Sequence, residues 1–248
     1  GRLATFLQKK GFLLYRNTTA KYLKDGTEYF EDLIKHLGAA ETYIFLEYFI
    51  VAEGEIWNRV FSVLKEKAAA GVEVYMIFDD FGALTRFSDD TFQAVRHAGI
   101  HVEVFNPVHR YVNRIYFNYR DHRKIVVIDG RYGYTGGVNI ADEYANLQER
   151  FGHWKDNGIR IEGKAVESYV IAFLKNYEIA TNITPEYKWY LENKGEYAET
   201  KKLQGYNMFF TDGPDNRKNP AENVYISMLN LSKDYVYIYT PYFVANPE

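Results

Sequence analysis

His122-Arg123-Lys124-Ile125-Val126-Val127-Ile128-Asp129, followed by Gly136-Gly137-Val138-Asn139, decides how this chain is read. Residues 125–128 are β-branched and apolar without interruption, the pattern of a buried strand. His122 and Lys124 stand two residues apart at its entrance. Side chains alternate along a strand, so both point to one side and present a titratable imidazole beside a fixed ammonium. That pair suits a nucleophile attacking a phosphate whose charge must be held. Asp129 ends the strand with the opposite parity and, next to Gly130, reads as the brace of a turn.

Outward from this stretch, helical and extended patterns alternate. Phe30, Leu33, Ile34 and Leu37 follow helical spacing after Asp25-Gly26-Thr27, and residues 43–50 read as a strand. Ile56, Val60, Val63 and Leu64 mark a second helix that Gly71 ends, and residues 72–78 a second strand. A short helix over 91–97, a strand over 101–105, and two more strands over 132–135 and 158–161 bracket the signature. Val166, Tyr169, Val170, Phe173, Leu174 and Tyr177 form one apolar helix face. The alternation predicts an α/β sandwich with a mixed central sheet and helices on both faces. Residues 181–205 turn polar and read as a linker or excursion. Beyond them Tyr237-Ile238-Tyr239-Thr240-Pro241-Tyr242-Phe243-Val244 echoes Tyr43-Ile44-Phe45-Leu46-Glu47-Tyr48-Phe49-Ile50 at an offset of 194 residues, with a helix expected ahead of it through Met228 and Leu231.

Composition narrows the class. Apolar residues make up 47% of 248, enough for a substantial core. No apolar run approaches the roughly 18–20 residues of a membrane span, and no signal peptide is evident. Zero cysteines exclude disulfides and thiolate metal ligands. A net charge of −3 argues against a nucleic-acid partner for the molecule as a whole. Around the signature, however, Arg110, Arg114, Arg120, Arg123, Lys124 and Arg131 face only Asp121 and Asp129 in sequence, an excess that attracts phosphate. Arg131 alone reads as an ordinary surface residue. The 23 tyrosines are mostly strand residues, though tyrosine also suits a membrane–water interface.

The signature resembles the HxKxxxxD pattern of the phospholipase D superfamily. Gly136-Gly137-Val138-Asn139 matches its GGxN segment, and Gly152-His153-Trp154-Lys155-Asp156 narrows the likeness to bacterial cardiolipin synthases of that superfamily. Leu14-Tyr15-Arg16-Asn17, Glu47-Tyr48-Phe49-Ile50 and Asp79-Asp80-Phe81-Gly82 extend it along nearly the whole chain. The resemblance implies the superfamily's α/β sandwich, with residues 1–180 as a first repeat, 181–205 between units, and 206–248 as the beginning of a second, truncated repeat.

It further implies a phosphatidyl transfer between two phosphatidylglycerols, releasing glycerol through a phosphohistidine. His122 is then the nucleophile. Lys124, Asn139 and Gly137 bind the phosphate, and Asp156 hydrogen-bonds the imidazole to fix its tautomer. Asp129 completes the catalytic signature, although its parity points to a structural role. Glu47 and Arg120 are candidates for positioning substrate. No cofactor and no metal are implied: the chemistry needs none, and Asp79 and Asp80 would point to opposite sides of a continuing strand. The implied partners are phosphatidylglycerol and other anionic phospholipids, a membrane surface (the cytoplasmic face of a bacterial membrane), and the missing second repeat or a homodimer mate in its place. The membrane anchor of such a parent is absent from this sequence. A single HxKxxxxD signature in 248 residues predicts no turnover by a monomer. Two alternatives remain open. One is a phospholipase D or phosphodiesterase with water as acceptor. The other is a lipid-phosphate-binding fragment without turnover.

Overall fold

The computed structural model describes residues 2–9, 11–107, 119–150, 152–195, 206–212 and 220–240. Arg110, Arg114 and residues 241–248 lie outside the described residues. The elements are α1 (Arg2–Lys9), β1 (Thr18–Leu23), α2 (Gly26–Gly38), β2 (Tyr43–Tyr48), α3 (Glu55–Ala69), β3 (Glu73–Asp79), α4 (Asp80–Ala83), α5 (Asp89–His97), β4 (His101–Phe105), β5 (Ile125–Ile128), β6 (Tyr132–Gly136), β7 (Gly158–Gly163), α6 (Val166–Thr181), α7 (Tyr187–Glu192) and α8 (Pro220–Leu231).

Every residue of β2 and of β5 is buried. Such strands need cover on both faces, and the molecule supplies it. Ile44, Leu46, Tyr48, Val126 and Ile128 pack with Tyr29, Phe30, Leu33 and Leu37 of α2 and Ile56, Trp57, Val60 and Leu64 of α3. Tyr43, Phe45, Ile125 and Val127 face the other way, against Val166, Tyr169, Val170, Phe173 and Leu174 of α6 and Tyr190 of α7. Phe45 stacks on Phe173 at 4.4 Å between ring centroids. Local signals agree with the packing. Asp25 caps α2 by accepting a hydrogen bond from the Glu28 amide at 2.8 Å, and Ser88 caps α5.

The seven strands form one sheet in the order β1-β7-β6-β5-β2-β3-β4. β2, β3 and β4 run parallel, while β5 is antiparallel to β2, as are β6 to β5, β7 to β6 and β1 to β7. The mixed sheet has a functional consequence. Residues that lead into β5 arrive at the same sheet edge as the carboxyl ends of β2 and β3, where open parallel sheets place ligands.

Two compact units are distinguished, residues 13–209 and residues 1–12 with 210–248. The first contains the whole sheet. In the second, α1 contacts α8, and Phe12 meets Phe210 edge-on at 5.7 Å.

Three departures from the sequence reading stand out. β1, with Ala20, Lys21 and Tyr22 exposed in succession, escapes the periodicity because an edge strand needs no apolar alternation. Residues 187–192 form α7 inside the polar stretch, with Tyr190 buried and its hydroxyl on Glu73 at 2.7 Å. The strand expected from residue 237 is not formed over 237–240: Tyr237 and Tyr239 are 80% and 96% exposed, and no ladder partner for them exists among the described residues. The helix expected ahead of it is α8.

Candidate active site

His122 and Lys124 do not lie on the strand. β5 begins at Ile125, and residues 119–124 carry no regular element, so the pair is held by side chains and not by ladder hydrogen bonds. The two still converge. Phe49, just past the end of β2, sets its ring 4.7 Å from the His122 imidazole and 5.4 Å from the Lys124 ammonium. The ammonium donates to the His122 carbonyl at 2.6 Å. His122 is exposed, whereas Lys124 is 4% exposed.

Asn139 is tied to Ile50, the residue after Phe49, through the backbone that extends β2. Val51 bridges Ile140 in parallel, and the Ile50 amide donates to Asn139 Oδ1 at 2.9 Å. Asn139 Nδ2 donates to the Tyr144 hydroxyl at 2.8 Å. One amide N–H of Asn139 therefore remains for a ligand. Gly137 lies against Asp156 so closely that a Cβ would collide with the carboxylate. Here the glycine is needed for space.

Electrostatics distinguish the two signature residues. Burial holds the Lys124 pKa down to about 8, against the pull of Asp121, Asp156 and Asp79. The His122 imidazole is lowered by the protein mass behind it and by Lys124, with Asp121 opposing. A neutral imidazole beside an ammonium is the state a nucleophile needs.

The other expected residues divide. Asp156 is within the electrostatic reach of Lys124, yet no hydrogen bond joins it to His122 among the described residues. Its Oδ1 accepts from the Asn157 amide at 2.8 Å, and its Oδ2 lies 3.5 Å from Trp154 Nε1. These local partners and the close fit on Gly137 fix the carboxylate away from the imidazole. Asp129 sits at the far end of β5. Its carboxylate accepts from the amides of Glu41, Thr42 and Tyr43 at 2.9, 2.7 and 3.0 Å. Asp129 and Gly130, both left-handed with φ of 52° and 58°, turn the chain into β6. Asp129 belongs to that brace and not to the phosphate end of the strand.

Glu47 has no exposed surface. Arg120 also turns inward, donating to the Asn106 carbonyl at 2.8 Å and lying 3.4 Å from Asp79 Oδ1. Arg131 pairs with Glu162 beside the β5–β6 turn. Of the basic cluster among the described residues, Lys124 is the cation beside His122. Sequence reasoning missed Phe49 as the common neighbour, Tyr144 as the partner of Asn139, and the buried Asp121 and Asn176 beneath the histidine. Phe49 and Asp121 stand inside quoted motifs. Nothing in one dimension shows that Asn176 of α6 meets them.

Comparison with known proteins fits this geometry. A family profile described as "Cardiolipin synthase, PLD-like domain" matches residues 33–176, which include β2, the signature and Asp156. An uncharacterized protein of Streptococcus mutans is 41% identical over 99% of this chain and 52% of its own length. The major cardiolipin synthase ClsA of Bacillus subtilis is 35% identical over 90% of this chain and 46% of its own length. The cardiolipin synthase of Oceanobacillus iheyensis is 33% identical over 93% and 47%. The chain thus spans about half the length of the curated relatives it matches. Among solved structures, the phospholipase D family member Nuc of Salmonella typhimurium has a TM-score of 0.50 at 15% identity, covering 65% of this chain and 95% of that one. The phosphatidylserine synthase of Haemophilus influenzae Rd KW20 has a TM-score of 0.52 at 14% identity, covering 78% and 46%. These two likenesses concern the fold. The mixed seven-stranded sandwich and the profile match over 33–176 lead to one assignment: the chain belongs to the phospholipase D superfamily, within its cardiolipin synthase-like domain family.

Proposed function

We propose that this chain carries one half-site for transfer of a phosphatidyl group between two phosphatidylglycerols. A His122 nitrogen attacks phosphorus, the P–O bond to the departing glycerol breaks, and an acid on the opposite side gives that glycerol its proton. A hydroxyl of the second phosphatidylglycerol then attacks the phosphohistidine while its proton passes to the group that had protonated the glycerol, the P–N bond breaks, and cardiolipin leaves with both His122 and the acid restored. Lys124 and the free N–H of Asn139 hold the non-bridging oxygens. The carrying observation is the gathering of His122 and Lys124 on the Phe49 ring, with Asn139 tied to the adjoining residue. Anionic phospholipid at a bacterial membrane surface, on its cytoplasmic face, is the proposed substrate phase. Among the described residues no helix is long and apolar enough to cross a membrane, so contact with lipid is assigned to a surface or to chain outside these residues.

The acid opposite His122 is assigned to a second half-site, from a further repeat or a second copy, because this sequence holds one HxKxxxxD signature. Exposure of His122 also suits water as acceptor, which is the hydrolase reading. Phosphatidylglycerol labelled at phosphorus, with released glycerol assayed beside it, separates these readings. Cardiolipin plus glycerol marks transfer and phosphatidic acid marks hydrolysis. His122→Ala is expected to abolish either product by several orders of magnitude, and near-normal turnover by that variant would overturn the assignment. A fraction proven monomeric by light scattering is expected to be inactive, since general acid help is worth about 10²–10⁴-fold. Cardiolipin from that fraction, lost on His122→Ala, would end the two-half-site account.

A further inference from the structure

Beneath His122, on the face of the sheet covered by α6, lies a buried set of charges that the proposed chemistry does not use. Glu47 and Asp79 have no exposed surface, Asp121 is 4% exposed, and Asn176 is 2% exposed. They come from β2, β3, the segment before β5, and α6. The Asp121 amide donates to Asp79 Oδ2 at 2.8 Å. Asp121 Oδ1 accepts from the Arg123 amide at 3.2 Å and from Arg123 Nε at 2.9 Å, and Asp121 Oδ2 accepts from Asn176 Nδ2 at 2.8 Å. These bonds fix the residues immediately before and after His122, on a stretch that has no ladder bonds of its own.

Glu47 is the anomaly. Arg123 Nε lies 2.8 Å from Glu47 Oε1 and 2.9 Å from Asp121 Oδ1, so one N–H stands between two carboxylates. That N–H serves Asp121, and neither Glu47 oxygen receives a well-directed hydrogen bond. Asp121 and Asn176 lie alongside it. The charge count reaches the same point. Four carboxylates, Glu47, Asp79, Asp121 and Asp156, face three cations, Arg120, Arg123 and Lys124, the last attracted by Asp121 first and then by Asp156 and Asp79. A buried carboxylate with no well-directed donor is strongly disfavoured, and a proton relieves it.

We infer that Glu47 is a neutral carboxylic acid that donates its proton to Asp121, and that this acid–carboxylate pair is the device that positions His122. Burial and the adjacent Asp121 charge both raise the Glu47 pKa, with Arg123 opposing, which is the direction the geometry requires. Glu47 acts through Asp121 and Arg123 and touches no substrate, so it is a positioning residue. Its importance for catalysis rests on His122 being the nucleophile, but its protonation does not.

The test therefore reads the chain without lipid. Infrared difference spectra between wild type and Glu47→Gln at neutral pH are expected to show a protonated-carboxyl C=O band that the variant lacks. No such band would overturn the inference. If Glu47→Gln fails to fold, the carboxyl 13C shift of Glu47 in the unmodified chain decides protonation alone. Positioning is read by the NMR titration of the His122 imidazole and by the affinity for sulfate. Glutamine keeps a donor toward Asp121, so Glu47→Gln is expected to retain the wild-type titration. Glu47→Leu is expected to shift it and to weaken sulfate roughly tenfold or more, the scale of a misplaced binding group. If Glu47→Leu matches wild type in both, the network does not position His122. If Glu47→Gln behaves as Glu47→Leu, Glu47 is an ionised partner of Arg123 and the proton does not exist.

Discussion

Lys124 couples stability to ligand binding at a single residue. Its pKa falls from about 10.5 to about 8 because the ammonium is buried. The charged form is therefore disfavoured in the folded state. The penalty is complete below pH 8, shrinks as pH rises toward 10.5, and is absent above it. At about 1.4 kcal/mol per unit, Lys124→Met is expected to stabilise the fold at pH 7 by up to about 3 kcal/mol, with the advantage closing toward pH 10.5. Urea unfolding of both proteins across that range checks it. The same variant is expected to lose sulfate binding. Wild-type affinity for sulfate, whose charge is constant here, should decline once pH passes about 8, as calorimetry will read. Site legibility follows the same division. His122, Lys124, Asn139 and Gly137 stand out in the sequence because they keep fixed spacings within 18 residues. The bond expected from Asp156 to His122 was not formed, because its local turn claims the carboxylate. The roles of Glu47, Asp121 and Asn176 were illegible, because burial and contact among β2, β5 and α6 decide them and no spacing records it.

At the scale of elements, Asp129 joins the end of β5 to the start of β2. Its carboxylate serves three backbone amides. Asp129→Ala is expected to cost about 2–4 kcal/mol, since it leaves donors unpaired, one of them on buried Tyr43. Asp129→Asn, which retains one oxygen and tolerates the left-handed backbone, should cost less. Denaturant midpoints rank the pair. Sulfate affinity should be unchanged in both, because the brace lies at the opposite end of the strand from Lys124. Among the described residues β1 pairs with β7 alone and has three of its six residues exposed, so its amides are expected to exchange much faster than those of β2 and β5 in hydrogen-exchange mass spectrometry. The strands and helices of the core were legible because burial on one or two faces leaves periodicity in the sequence. β1 was not, since an edge strand can be polar. α7 was not, because two aromatics, Trp189 and Tyr190, anchor it inside a polar stretch.

For the whole molecule, the unit of residues 13–209 holds the sheet, both helical covers and every residue of the candidate site. Expressed alone, it is expected to unfold in one cooperative transition and to bind sulfate as the full chain does. Loss of that transition in calorimetry would show that residues outside 13–209 complete its core. The order of strands also sets a problem during synthesis. β2 is an interior strand of the sheet, yet its antiparallel neighbour β5 leaves the ribosome roughly eighty residues later. At 5–20 residues per second that is a wait of about 4–16 s. β3 closes one flank early, while the other flank of β2 stays open as an adhesive edge. Nascent chains arrested before β5 emerges are expected to be protease-sensitive through β2, and those arrested after β7 resistant. The fold thus leaves a fully buried interior strand without its second neighbour until the segment that carries His122, made only moments ahead of β5, has emerged.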